Sequence, residues 1–343
     1  MSESLVAAPP ASLALARHPD GPVGPLEVRV AVGAAGICHT DFYLLAGTHP
    51  GATYPRVPGH EFSGIVTEIG AEVPGALRVG TRAAVLSTLA CGRCAACLAG
   101  RPARCKQAQH LGTDRDGGWQ HHVDVPWAAV LPIPDHVSLA EAALFEPTAN
   151  GKAAVEAGRV GKDDHVVVIG PGAIGILTAL LAAQTRPRSL AVLGLGVDAE
   201  RLAVARRVTG AEVSAIDGNG RAPATALLAN ATVVMQCAPS LAATSLALEH
   251  LQDGGRLVVE GYAGDTGTLP IGADQLCVRS LQLIGINGWM RHDFEAVAAL
   301  AAARRIDLSG IPVKHFSLRE HDAAVRAAHD NRGIMRVMFQ PNG

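Results

Sequence analysis

The chain has 343 residues, 29 Lys and Arg against 31 Asp and Glu, a net charge of −2, and 48% apolar residues. That balance suits an ordinary globular protein and argues against a polyanion-binding surface. The length exceeds one compact core and implies two domains.

The opening MSESLVAAPPASLALARHPDG has no basic stretch followed by an apolar core, so no signal peptide is expected. No apolar run reaches the ~20 residues of a membrane span. The reading is a cytoplasmic protein with no membrane and no nucleic-acid partner. In a reducing cytosol, clustered cysteines hold a metal more readily than they form disulfides.

The early region shows short apolar runs broken by Gly and Pro, such as LEVRVAVGAAG and EFSGIVTEIG, which read as strands. Between them lies GICHTDFY, with Cys38, His39, Thr40, Asp41 and Tyr43; VPGHEFSG adds His60 and Glu61, and FEPTAN later adds Glu146. Cysteine, histidine and carboxylate are the ligand types of a zinc site that keeps a position free for water or substrate. Taken singly, Cys38 reads as a small core residue, His60 as a satisfied histidine and Glu61 as a strand-edge charge. Their joint occurrence beside the motifs below favours a metal site.

Next comes CGRCAACLAGRPARC, where Cys91, Cys94, Cys97 and Cys105 follow the spacing Cys-x2-Cys-x2-Cys-x7-Cys. Four thiolates at such gaps complete a tetrahedral zinc shell and leave no open position, so this site holds a lobe together. Gly92 and Gly100 permit the tight backbone. An iron–sulfur cluster is the rival reading, but the bacterial run has three residues before its last cysteine and a proline after it. Here Lys106 follows. Arg93, Arg101, Arg104 and Lys106 keep a nucleic-acid ribbon as a weak alternative. In QHLGTDRDGGWQHHVDV, His110, His121 and His122 read as surface or strand residues more than as cleft residues. Trp119 and Trp289 read as packing, and Cys237 and Cys277 as core thiols.

HVVVIGPGAIGILTALLAA then sets Gly170, Gly172 and Gly175 in the pattern G-x-G-x-x-G, with Ala173 and Ile174 between the last two. A buried apolar strand precedes it and an Ala/Leu-rich helix follows, which is the context that a dinucleotide-binding turn requires. Its helix N-terminus receives a pyrophosphate. The second strand, SLAVLGLG, should end at the adenosine ribose, where an acid favours NAD; the expected position is Gly196. Asp198 either reaches the ribose or caps the helix that starts at Ala199. Arg201, Arg206 or Arg207 would instead meet the 2′-phosphate of NADP, or form a solvated helix face. NAD is the preferred cofactor, with NADP possible. Further apolar runs, TVVMQC, GRLVVEG and LQLIGING, alternate with Ala-rich segments, and FEAVAALAAARRI and REHDAAVRAAH read as helices.

These motifs, in this order, resemble the zinc-dependent medium-chain dehydrogenase/reductase family over nearly the whole chain. Glu146–Pro147 looks most like the sorbitol dehydrogenase-like branch. The resemblance implies an α/β architecture: a GroES-like β-rich catalytic domain over 1–150 with its zinc lobe, a Rossmann doubly wound parallel-sheet domain over 151–287, and a return to the catalytic domain over 288–343. It implies one catalytic and one structural Zn2+ per chain. Cys38 and His60 would be ligands of the first, with Glu61 and Glu146 completing the shell. Asp41 would orient His60 and Thr40 would pass the alcohol proton outward; the plainer roles are a turn-capping aspartate and a helix N-cap hydroxyl. His39 would lie by the pyrophosphate. Many members place a histidine where this chain has Tyr43, and glutathione-dependent formaldehyde dehydrogenases carry tyrosine there. The implied reaction moves a hydride between a secondary alcohol, polyol or sugar alcohol, or its carbonyl product, and NAD(P), in a homodimer or homotetramer. Formaldehyde oxidation on a thiol carrier is one alternative, and Glu146 counts against it. A nucleotide-binding regulatory protein with only a structural zinc is another.

Overall fold

The computed structural model describes all residues except 9–11, 76, 100–103, 262–266, 270, 331–334 and 343. Gly100 and Arg101 of the cysteine loop therefore lie outside the described residues. The chain forms two compact units: Met1–Glu146 with Met290–Arg304 and Pro312–Gly343, and Pro147–Trp289 with Arg305–Ile311.

The first unit is built on antiparallel pairing. β1 (Ser2–Ala8) and β2 (Ser12–His18) form a hairpin. β3 (Glu27–Gly36) is followed by the short helix α1 (His39–Leu45). Then come β4 (Phe62–Ile69), β5 (Arg82–Val85), β6 (Thr88–Leu89), α2 (Ala95–Leu98), β7 (Gln109–His110), β8 (His122–Pro126), β9 (Val130–Pro132) and α3 (Leu139–Ala143). α4 (Phe145–Ala157) carries the chain into the second unit. There β10 (His165–Ile169), α5 (Ala173–Gln184), β11 (Ser189–Gly194), α6 (Ala199–Thr209), β12 (Glu212–Ala215), α7 (Arg221–Ala229), β13 (Val233–Gln236), α8 (Leu241–His250), β14 (Arg256–Val259), α9 (Ala273–Val278) and β15 (Gln282–Gly285) alternate. α10 (Arg291–Ala302), β16 (Val313–Phe316), α11 (His321–Asp330) and β17 (Arg336–Phe339) belong mainly to the first unit.

In the first unit the main sheet runs β16-β17-β3-β4-β5-β9, with β8 also paired to β3. Trp119, Phe62 and Phe339 are fully buried in its core. Trp119 meets Phe339 edge-on, centroids 5.0 Å apart, and its indole N–H donates to the Gly36 carbonyl at 3.1 Å. Trp119 is thus a packing residue, in keeping with its sequence reading.

The second unit is a parallel sheet in the order β12-β11-β10-β13-β14-β15. Val166–Ile169 are all buried, as a strand covered on both faces demands. The strand order reverses between β10 and β13, and open α/β sheets bind ligands at that switch point, beyond the carboxyl ends of the strands. Cys277 departs from its expected core position. It lies exposed near the end of α9 while its neighbour Leu276 packs on the core, because one turn of a surface helix cannot bury both.

Candidate metal centre and dinucleotide cleft

The residues of GICHTDFY and VPGHEFSG meet because β3 and β4 pair antiparallel with Ala35 opposite Phe62. Gly36 N–H donates to the Glu61 carbonyl at 2.7 Å, so the segments leaving the two strands run side by side. Cys38 stands at the N-cap of α1. The ligand atoms of Cys38, His60 and Glu61 lie within 4.8 Å of one another. Glu146, buried in the first turn of α4, is outside that trio but acts electrostatically on His60, Glu61 and Arg336.

Asp41 accepts from the Cys38 backbone N–H at 2.7 Å and so caps α1. Its other oxygen sits 3.8 Å from His60 Nδ1. That spacing is too long for a hydrogen bond, and Nδ1 is left buried and unpartnered. Thr40 Oγ1 is 3.9 Å from Cys38 Sγ. His39 and Tyr43 are exposed on α1 and meet edge-on at 5.6 Å.

Arg336 was not singled out from the sequence. Antiparallel pairing of β17 with β3, Met338 opposite Gly36, brings it beside Glu61. Its Nε donates to Oε2 at 2.8 Å and its Nη2 to Oε1, a bidentate buried pair. An arginine inside the apolar run MRVMF was the available signal, since a charge is almost never buried unpaired. Burial raises the Glu61 pKa against the pull of Arg336, while Glu61, Cys38 and Glu146 keep the guanidinium charged. Burial opposes a charged His60, yet Cys38, Asp41 and Glu146 more than offset it and hold the imidazole well above its ordinary value. A pocket that draws a proton onto histidine this strongly is rich in negative charge. With a soft sulfur donor, an imidazole and carboxylates in reach, its donor set fits a zinc ion.

The cysteine lobe is more local. Cys94 Sγ lies 3.5 Å from Cys97 Sγ and 3.7 Å from Cys105 Sγ, and Cys91 Sγ lies 3.9 Å from Cys97 Sγ. At a Zn–S distance of about 2.3 Å, a tetrahedron spaces its sulfurs about 3.8 Å apart, so these four fit zinc closely. Gly92 takes φ +71°, which lets the loop turn back. Backbone N–H groups of Arg93 and Cys94 bring Cys91 down to about 6, whereas desolvation and neighbouring thiols push Cys97 up to about 12. Four crowded thiols cannot all ionise without a cation, and a dication resolves that conflict. Arg93, Arg104 and Lys106 are exposed around the loop.

His121 Nδ1 accepts from the Glu3 backbone N–H at 3.3 Å, and His122 Nδ1 lies 2.9 Å from Ser2 Oγ and 3.5 Å from Asp20. Both serve the N-terminal hairpin. His110 is exposed on β7.

In the second unit, Gly170 takes φ +101°, with Ala238 of the next strand's exit against it. A Cβ on Gly175 would overlap the Gly170 carbonyl oxygen, so helix and turn pack as closely as the motif requires. Gly172 is the N-cap of α5 with no side chain on the helix end and nothing within 4 Å of where a Cβ would stand. The free N–H groups of that first turn, which begins at Ala173 and Ile174, fit a pyrophosphate. A cavity of about 610 Å³ opens here, lined by Gly170, Gly172, Leu195, Asp198, Arg201 and Arg221 among others. Its size suits a nucleotide. Asp198 does not cap α6, contrary to one of its two readings. Its Oδ2 accepts from Leu195 N–H at 3.0 Å, closing the preceding turn, and its Oδ1 pairs with Arg201 at 3.3 Å.

Residues 24–135 match the alcohol dehydrogenase GroES-like domain family. The chain is 30% identical over 333 residues to the sorbitol dehydrogenase of Arabidopsis thaliana, covering 92% of this chain and 89% of that one. The chain belongs to the zinc-dependent medium-chain dehydrogenase/reductase family. It is also 28% identical to the L-idonate 5-dehydrogenase of Vitis vinifera, over 92% of this chain and 88% of that protein. Among solved structures it resembles a candidate zinc-binding dehydrogenase of Sinorhizobium meliloti 1021 bound to NADP, with TM-score 0.90, 26% identity and 99% of both chains covered. The first unit is accordingly the GroES-like part and the second the Rossmann part of this α/β fold. No helix among the described residues is long and apolar enough to cross a membrane.

Proposed function

We propose that this protein is a zinc-dependent oxidoreductase that moves a hydride between NAD or NADP and a secondary alcohol, polyol or sugar alcohol, or the matching carbonyl. The observation that carries the reading is the trio Cys38, His60 and Glu61, whose ligand atoms converge within 4.8 Å, with His60 Nε2 toward Glu61 and Nδ1 toward Asp41. Similarity to sorbitol and idonate dehydrogenases supports the substrate class.

Zinc, when bound, supplies the Lewis acidity that makes an alcohol easier to deprotonate, and the nicotinamide supplies the hydride acceptor. Cys38 and His60 would hold the metal, with Glu61 or Glu146 as the third protein ligand. Arg336 holds the Glu61 carboxylate by two hydrogen bonds, so Glu61 reaches the metal only by giving up part of that pairing. On this reading Glu146 is the resting ligand and Glu61 the one that exchanges. Asp41 would orient His60 from behind. Thr40 would take the substrate proton on its hydroxyl and pass it to solvent past the exposed Tyr43 and His39. The four-cysteine lobe would hold a second zinc with no free position. Gly172 and the first turn of α5 would hold the pyrophosphate.

The assembly on this reading is a homodimer or homotetramer. β15 ends the described parallel sheet with Leu283 40% exposed, and Val278 on α9 is 83% exposed. The cytoplasm is the proposed compartment, where the free cysteines of the chain stay reduced. The test is turnover by zinc-loaded protein with each nicotinamide cofactor against a panel of secondary alcohols, polyols and sugar alcohols, followed by absorbance of the reduced cofactor. Turnover that Cys38→Ala abolishes supports the reading. Turnover that survives Cys38→Ala removes the open metal site from the chemistry.

A further inference from the structure

We propose that Asp217, at the exit of β12, is the acid that reads the 2′-hydroxyl of the adenosine ribose and sets a preference for NAD over NADP. The inference rests on the dinucleotide reading above. Folds of this kind recognise the NAD ribose with an acid about 20 residues beyond the glycine turn, and here the place at the exit of β11 holds Gly196, which has no side chain.

The neighbouring strand supplies what is missing. β11 and β12 are parallel with Gly194 opposite Ala215, and Ile216 N–H donates to the Gly194 carbonyl at 2.8 Å. Asp217 thus emerges level with Gly196, and the Gly196 N–H donates to Asp217 Oδ1 at 2.7 Å. A Cβ on Gly196 would stand 3.4 Å from Asp217 Oδ1 and 3.6 Å from Oδ2. The Asp217 carboxylate therefore lies in van der Waals contact with the place where a side chain at 196 would start. Gly194, Leu195 and Ile216, which flank it, line the cavity. Asp217 opens the short turn 218–220, yet its side chain does not cap that turn. It turns toward β11 instead.

Asp198 is a poorer candidate, because both its oxygens are engaged, one by Leu195 N–H and the other by Arg201. Arg201 is correspondingly neutralised, leaving Arg221 as the other arginine on the cavity. With Asp198 and Arg201 offsetting each other, the charge that stands beside Gly196 is the Asp217 carboxylate. A 2′-phosphate placed here meets repulsion, whereas a 2′-hydroxyl donates to a carboxylate oxygen.

The test is fluorescence titration of the zinc-loaded full chain with NADH and NADPH, for wild type and Asp217→Asn, with thermal melts to verify folding. Asparagine keeps an acceptor for Gly196 N–H and removes the charge. The wild type is expected to bind NADH more tightly, and the variant to shift the NADH/NADPH ratio of Kd by about tenfold or more toward NADPH. Competition with 2′-deoxy-NAD separates recognition from a merely structural bond. Loss of the hydroxyl is expected to weaken binding about tenfold in the wild type and far less in Asp217→Asn. If Asp217→Asn fails to fold, the wild-type comparison of NAD with 2′-deoxy-NAD still decides, and equal affinity overturns the inference. Tighter NADPH binding by the wild type, or a ratio indifferent to Asp217, overturns this inference alone. Binding of neither dinucleotide overturns the dinucleotide reading with it.

Discussion

The cysteine lobe and the Cys38–His60 centre are both candidate zinc sites, and they are built in opposite ways. The lobe draws all four donors from Cys91–Cys105, near the surface, and its sulfurs stand 3.5–3.9 Å apart for the pairs in contact. The other centre gathers Cys38, His60 and Glu61 from two segments, with Glu146 further along and Arg336 near the end of the chain. A closed site needs only a loop of the right spacing. The Cys38–His60 centre needs a sheet to bring distant residues together, and its buried Glu61 carboxylate is paired with the Arg336 guanidinium. A centre assembled across strands thus brings in supporting residues that a local loop does not need, and Arg336, bidentate to Glu61, is the clearest of them.

The largest expected effect breaks the open centre alone. Cys38→Ala should lower turnover by about a thousandfold or more, because Lewis acidity is worth several kcal/mol. The melting temperature should change little, as the centre supports few strands. Steady-state kinetics and calorimetry on one preparation check both halves. Next is the counter-charge. Arg336→Met leaves Glu61 buried and unpaired and should destabilise the first unit by about 3–5 kcal/mol. Arg336→Met with Glu61→Leu should recover most of that stability but not activity, which denaturant titration of the pair of variants will show.

A partly buried carboxyl elsewhere sharpens what Arg336 contributes. Glu260 lies in the second unit; among the described residues its partners are Thr178 at 3.0 Å and Cys237 at 3.3 Å, none is an arginine, and its Oε1 has no partner. Burial raises it from 4.5 to about 7, with Cys237 and Thr178 pulling the other way. The folded state therefore keeps a proton that the unfolded state has lost between those two values. Its stabilising contribution is complete below pH 4.5 and is lost as pH rises through about 7. The loss is about 3 kcal/mol, at 1.36 kcal/mol per unit. Glu260→Gln should therefore be more stable than wild type at pH 8 and similar at pH 4.5, measured as a difference of melts at each pH.

The smallest effect concerns the lobe. Cys97→Ser should release one zinc and lower the melting temperature, while the folded fraction keeps an unchanged KM for substrate. A raised KM would mean that the lobe shapes the substrate site directly.

The two sites also differ in how far the sequence revealed them. The lobe and the glycine turn are local, so spacing and flanking residues sufficed for both. Cys38, His60 and Glu61 were legible as donor types, but only the β3–β4 pairing shows that they converge. Arg336 and Asp217 escaped because each acts across a strand pairing, Arg336 on a glutamate 275 residues away and Asp217 on Gly196. Cys277 was misplaced because an apolar residue on a short helix gives no sign of which face it occupies. The sequence allows Asp198 as a helix cap, and the competing turn bond to Leu195 N–H has no distinct sequence mark.

The most direct test of the account is the zinc content of the purified wild type and of Cys38→Ala, counted per chain by mass spectrometry. The account predicts about two ions in the wild type and about one in the variant. About one ion in both would contradict it, leaving the lobe as the only metal site and removing metal chemistry from the Cys38–His60 pocket.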